Sequence, residues 1–120
     1  MFDAIVIGAG VIGCSIAREL SRYDIKIGVL ESEVDVATGS SGANSAIVHA
    51  GYDCQAGSMM ARMNVWGNSL YDVVSKELDV PFKRIGRLVL AFVDEDMNEM
   101  EKLFEQGQKN GVPGLKILSA

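Results

Sequence analysis

Hydrophobic and polar positions divide the chain into segments of different period. Phe2-Asp3-Ala4-Ile5-Val6-Ile7 is a mostly apolar run that reads as a strand buried on both faces of a parallel sheet. A second run of that kind is Ile25-Lys26-Ile27-Gly28-Val29-Leu30. Between them, Val11 to Arg22 has helical spacing, with Ile12, Ile16, Ala17 and Leu20 on one face. Ser32 to Ser45 is polar and glycine-rich, and a short apolar run, Ala46 to Tyr52, follows. From Ser58 the period is helical again, with Met59, Met63, Trp66, Leu70, Val73, Val74 and Leu78 forming a core stripe that stops before Pro81. Leu88 to Val93 predicts a strand. Asp94 then stands as the N-cap of a last helix that buries Met97, Met100, Leu103, Phe104 and Gly107. Gly111 falls at its C′ position, Pro113 lies just beyond, and Gly114 to Ala120 reads as the start of one more strand.

The chemistry enters at the first strand–helix turn, Gly8-Ala9-Gly10-Val11-Ile12-Gly13. Gly8 permits a tight turn, Gly10 lets backbone amides approach a pyrophosphate, and Gly13 allows the helix to pack closely on the strand. The amides and dipole of the helix start, at Val11 and Ile12, face the anion. Glu31 ends the second strand, where a carboxylate accepts hydrogen bonds from ribose hydroxyls and repels a 2′-phosphate. Gly28, inside that strand, predicts close approach by another backbone.

The 120 residues suffice for one ordinary domain, and 48% hydrophobic with 22% charged content is that of a globular protein. A net charge of -5 argues against nucleic acid or an anionic membrane as partner. The apolar run from Ala4 to Ala17 follows Asp3 rather than a basic region and is broken by glycines, so neither a targeting segment nor a transmembrane helix is expected, and the cytoplasm is the expected compartment. Cys14 and Cys54 have no metal-like spacing, and no metal site is expected. Lys83, Arg84 and Arg87 flank a predicted strand as a solvated rim.

These residues resemble the FAD-dependent oxidoreductases of the D-amino-acid oxidase superfamily. The likeness rests on Gly8 to Gly13, on Val29-Leu30-Glu31 and on the segment Ser40-Ser41-Gly42-Ala43-Asn44-Ser45. Asn44 to Tyr52 and Pro81 to Val89 are similar to two groups within it, the FAD-linked glycerol-3-phosphate dehydrogenases of anaerobic type and the L-2-hydroxyglutarate dehydrogenases or oxidases. The resemblance implies an α/β fold: a Rossmann-like FAD-binding βαβ unit, with the first elements of a mixed α+β substrate domain. Residues 1–80 would be the N-terminal part of the FAD-binding domain and residues 81–120 the start of a substrate domain, within a longer enzyme. It implies FAD as cofactor, with Glu31 on ribose and Ser40, Ser41, Gly42, Ala43 and Asn44 along the diphosphate and ribityl chain on the flavin side. The substrate would be a small anionic hydroxy compound, glycerol 3-phosphate or, as the alternative, L-2-hydroxyglutarate. His49, the only histidine, falls near the isoalloxazine by the same likeness and is a candidate base or flavin contact. A nucleotide-binding module without chemistry, of NAD type, is the competing class, against which the second glycine-rich segment argues. Tyr23-Asp24, where many relatives have glycine, and Ser32-Glu33, where some have a basic residue, are departures from the pattern. The 120 residues alone are expected to be inactive, to hold FAD weakly and to self-associate.

Overall fold

A computed structural model describes residues 1–118, so the predicted strand from Gly114 lies partly outside the described residues. The elements are β1 (Ala4–Ile7), α1 (Val11–Leu20), β2 (Ile27–Leu30), α2 (Met59–Glu77) and α3 (Asp94–Lys109). They form two compact units, Met1–Ile47 and Val48–Ala120. That division concerns compactness, whereas the expected boundary at 80/81 concerns which domain of a whole enzyme each segment joins.

The first unit is the expected βαβ. β1 and β2 pair in parallel, Ala4 opposite Ile27 through Ile7 opposite Leu30. Backbone bonds extend the ladder at both ends, from Asp3 N–H to the Lys26 carbonyl (2.8 Å) and from Gly8 N–H to the Leu30 carbonyl (2.7 Å). The Asp3 carboxylate also accepts the Lys26 N–H at 2.8 Å. The two faces of β1 are unequal. Ala4 and Val6 are half-buried, while Ile5 is 55% and Ile7 86% exposed. Burial on both faces was expected, but the described sheet has only two strands, and α1 is the only helix of this unit.

α1 stops at Leu20, short of the expected Arg22. The Ser21 N–H still bonds the Ala17 carbonyl (2.9 Å), but the Arg22 and Tyr23 N–H groups turn to carbonyls three residues back, those of Glu19 (3.2 Å) and Leu20 (3.0 Å). Ala17 and Leu20 are half-buried, whereas Ile12 and Ile16, expected on the same face, are exposed. Gly28 accommodates the Phe2 ring rather than a backbone, since an added Cβ would lie 3.4 Å from the ring carbons.

In the second unit, α2 begins at Ser58, whose hydroxyl accepts the Ala61 N–H at 3.1 Å. Ala61 and Ser75 are its buried residues, while Met59, Met63, Trp66 and Leu70 of the expected core stripe are exposed. Leu88 to Val93 forms no strand, and Leu88, Leu90 and Phe92 are exposed. A strand needs a ladder partner for its amides, and no described segment supplies one.

α3 starts one residue later than read, with Val93 as N-cap and Asp94 in the first turn. The Asp96 carboxylate accepts the Phe92 and Val93 N–H groups at 2.9 and 3.3 Å, fixing the chain's entry into the helix. Gly111 takes the left-handed conformation (φ 77°) just past the Asn110 cap, as its position predicted. Leu115 to Leu118 is irregular rather than a strand. No helix among the described residues is long and apolar enough to cross a membrane.

Candidate cofactor site

The turn from β1 to α1 is shaped by backbone conformation first. Gly8 has φ 96°, a left-handed value that turns the chain out of the strand at little cost only for glycine. Gly13 comes so close to the first turn that an added Cβ would overlap the Gly8 carbonyl oxygen and stand 3.3 Å from the Val6 side chain. Gly10 is the N-cap of α1 and offers no side chain to cap it, and the first turn holds no acidic residue. The positive end of α1 is therefore neutralised by no side-chain charge of its own.

Two more segments close on this turn. Glu31 reaches from the end of β2 so that its Oε2 accepts the Ala9 N–H at 2.7 Å. Its Oε1 accepts the N–H groups of Ser32 (2.8 Å) and Glu33 (3.1 Å) and the Ser32 hydroxyl (3.3 Å). The Ala9 amide, followed by the Glu33 amide, holds this carboxyl below the usual glutamate range, so it is an anion at neutral pH. Ala9 is buried at 3% exposure, and its carbonyl receives the Ala37 N–H at 3.1 Å.

The glycine-rich segment comes to the same place. The Ser41 hydroxyl accepts the Val11 N–H at 2.9 Å, at the first turn of α1. Asn44 donates to the Ser41 carbonyl at 2.6 Å and accepts the Ala46 N–H at 2.7 Å, which folds the segment on itself. Gly42 passes so near the Ala37 carbonyl that an added Cβ would lie 2.5 Å from its oxygen. Ser40 and Ala43 are exposed, as are Val11 and Ile12.

Gly8, Gly10, Val11, Gly13, Glu31 and Ser41 are thus gathered by direct contacts around one helix start. An added Cβ at Gly10 would stand 3.2 Å from the Ser41 oxygen, so glycine there leaves room for that hydroxyl to reach the helix start. Ser41 caps the Val11 amide, but the Ile12 and Gly13 amides of the first turn have no partner among the described residues, and with the positive helix end they suit a diphosphate. The anionic Glu31 beside them suits a ribose, and Oε2, with one partner, retains a lone pair for a hydroxyl.

Sequence reasoning missed Ala37, Ser32 and Glu33. They act through backbone groups, and the left-handed Ala37 (φ 57°) carries no residue-type signal. Ser41, expected on the flavin side, touches the amide end of α1.

His49 belongs to the second unit and is exposed. Its carbonyl accepts the Asn68 side-chain amide at 3.1 Å, and the Asn68 oxygen accepts Arg84 Nη1 at 2.8 Å. Arg84 also binds both carboxylate oxygens of Asp72, between 2.8 and 3.0 Å. This pairing lowers the Asp72 pKa and raises that of Arg84. Arg84 is therefore part of a polar network on α2, not the free rim residue its sequence context suggested. Among the described residues no group of three potential ligands is arranged to hold a metal ion.

Comparison with known proteins bears on this site. The sequence profile described as FAD dependent oxidoreductase (DAO) matches residues 3–120. A glycerol 3-phosphate dehydrogenase of Caloramator mitchellensis is 56% identical over 119 residues, covering 99% of this chain and 25% of that protein. The mitochondrial L-2-hydroxyglutarate dehydrogenase of Homo sapiens is 34% identical over 119 residues, 98% of this chain and 26% of the relative. Among solved structures, dithionite-reduced L-alpha-glycerophosphate oxidase from Mycoplasma pneumoniae with FAD bound matches with a TM-score of 0.76 and 30% identity, over 91% of this chain and 29% of that one. The chain spans about a quarter of the length of the curated relatives it matches.

Proposed function

The chain belongs to the DAO family of FAD-dependent oxidoreductases, and from that premise we propose that it forms the N-terminal, dinucleotide-binding portion of a dehydrogenase that oxidises glycerol 3-phosphate. The observation that carries the substrate is the 56% identity over 119 residues to a glycerol 3-phosphate dehydrogenase. The observation that supports the cofactor is the glycine turn at the start of α1, braced by Glu31 and Ser41.

In this reading Gly10, Val11, Ile12 and Gly13 form the head of α1 that meets the diphosphate, through the Ile12 and Gly13 amides and the Ser41 hydroxyl that caps Val11. Oε2 of Glu31 takes a ribose hydroxyl. Gly42, Ala43 and Asn44 continue toward the flavin half, preceded by Ser40. FAD, when bound, supplies the hydride acceptor for the substrate's carbinol carbon. His49 is the candidate to receive the hydroxyl proton. Its backbone is steadied through Asn68, which favours a fixed imidazole position over a mobile one. The setting is the cytoplasm, and the substrate is a small anionic secondary alcohol.

L-2-hydroxyglutarate is the second reading, on the strength of the 34% identity to the human enzyme. It shares the chemistry, a secondary alcohol beside an anionic group. Anaerobic mixing of the flavin-loaded enzyme with each compound separates the two. Bleaching of the flavin band by glycerol 3-phosphate supports the first reading, and bleaching by L-2-hydroxyglutarate alone replaces it with the second.

A further inference from the structure

We propose that Arg87, carried on the ring of Tyr52, is the residue that recognises the anionic group of the substrate. The inference rests on the functional reading above for the kind of substrate, and on the second unit's own geometry for the residue.

The guanidinium carbon of Arg87 stands 5.6 Å from the centroid of the Tyr52 ring. A cation over an aromatic face is oriented without using its N–H groups, so the guanidinium keeps its five donors for an anion. No carboxylate of the described residues lies within the 4.0 Å of an ion pair with Arg87. Arg84, three residues earlier, is the contrast, for its Nε and both Nη nitrogens are engaged by Asp72 and Asn68. Arg18 and Arg22 are paired with Glu19. Arg62 also lacks an ion pair, but it stands over no described ring.

The ring beneath Arg87 belongs to a braced segment. The Tyr52 carbonyl accepts the Gln106 side-chain amide at 3.2 Å, and Asn110 donates to the carbonyls of Gly51 and Cys54, both at 2.8 Å. Gly107 gives Tyr52 its place, since an added Cβ would stand 2.9 Å from the Tyr52 Cβ. The same stretch begins at His49, held by Asn68. A segment with no regular secondary structure is thus fixed from α2 at one end and from α3 at the other. It carries an imidazole at 49 and, on the ring at 52, a guanidinium with unused donors. A planar guanidinium matches both a phosphate and a carboxylate by paired N–H bonds.

The test compares the flavin-loaded enzyme with its Arg87→Met and Arg87→Lys variants, by steady-state kinetics and by calorimetric titration with inorganic phosphate. Arg87→Met should raise KM for glycerol 3-phosphate by about tenfold or more, as expected for one lost charge-assisted contact, with the loss in kcat smaller than the rise in KM. Phosphate binding should weaken by a similar factor, and Arg87→Lys should recover part of both. Unchanged KM and unchanged phosphate binding in Arg87→Met would overturn the proposal. If Arg87→Met does not fold, Tyr52→Leu removes the support and should raise KM while FAD content is kept. An unchanged KM there counts equally against it. Failure of the wild type to turn over either anionic alcohol would refute the functional reading, while the phosphate titration would still decide the role of Arg87.

Discussion

The carboxylate of Glu31, proposed above to meet the ribose, also holds part of the fold together. It ties the β1–α1 turn to the end of β2 through Ala9 and is locked by the amides of Ser32 and Glu33. Because those donors favour the charged form, its folded pKa lies below the unfolded one. Its contribution is therefore complete above the ordinary glutamate range and is lost only as the pH falls through the lowered value. Flavin release from the loaded enzyme, followed on acidification, should include a step from this group. Glu31→Gln should release FAD more readily at neutral pH and lack that step, because an amide has one acceptor oxygen for donors that now occupy two. An acid-release profile identical to wild type would remove Glu31 from the site. Its place at the end of the second strand was legible, since an acid closes the second apolar run. Its backbone partners were not, because Ala9, Ser32 and Glu33 donate through groups every residue has.

At the scale of elements, close approach decides the sign of a substitution. Gly13→Ala places a methyl into the Gly8 carbonyl, so α1 must move off β1. The cost should be about 1–3 kcal/mol, the range for overpacking, read by chemical denaturation. Gly67→Ala, within α2, meets nothing within 4 Å and should stabilise by about 0.5–1 kcal/mol through helix propensity. Equal effects at the two positions would show that packing at the turn is not the reason for glycine there. The helices were readable because their 3.6-residue period and the Gly111 stop are local signals. Leu88 to Val93 was misread for the opposite reason. Its apolar, β-prone residues state a preference that a ladder partner must satisfy, and the described chain has none. The Met and Trp face of α2 likewise records a periodicity without saying what covers it.

Across the whole molecule, apolar side chains are bare on both units. Ile5, Ile7, Val29 and Leu30 are exposed on the first, and Met59, Trp66, Leu88 and Phe92 on the second. The chain spans about a quarter of the length of its curated relatives. Residues 1–120 expressed alone should therefore self-associate, and light scattering after size exclusion should give a mass above that of one chain. A clean monomer would contradict this. The central claim, that the glycine turn at the head of α1 seats the dinucleotide of FAD, is tested most directly by flavin stoichiometry in Gly10→Val. A side chain at Gly10 crowds the Ser41 hydroxyl and covers the surface a diphosphate must approach. The wild-type enzyme should purify with one FAD per chain and the variant, folded by circular dichroism, with almost none. Full flavin content in Gly10→Val would contradict the account.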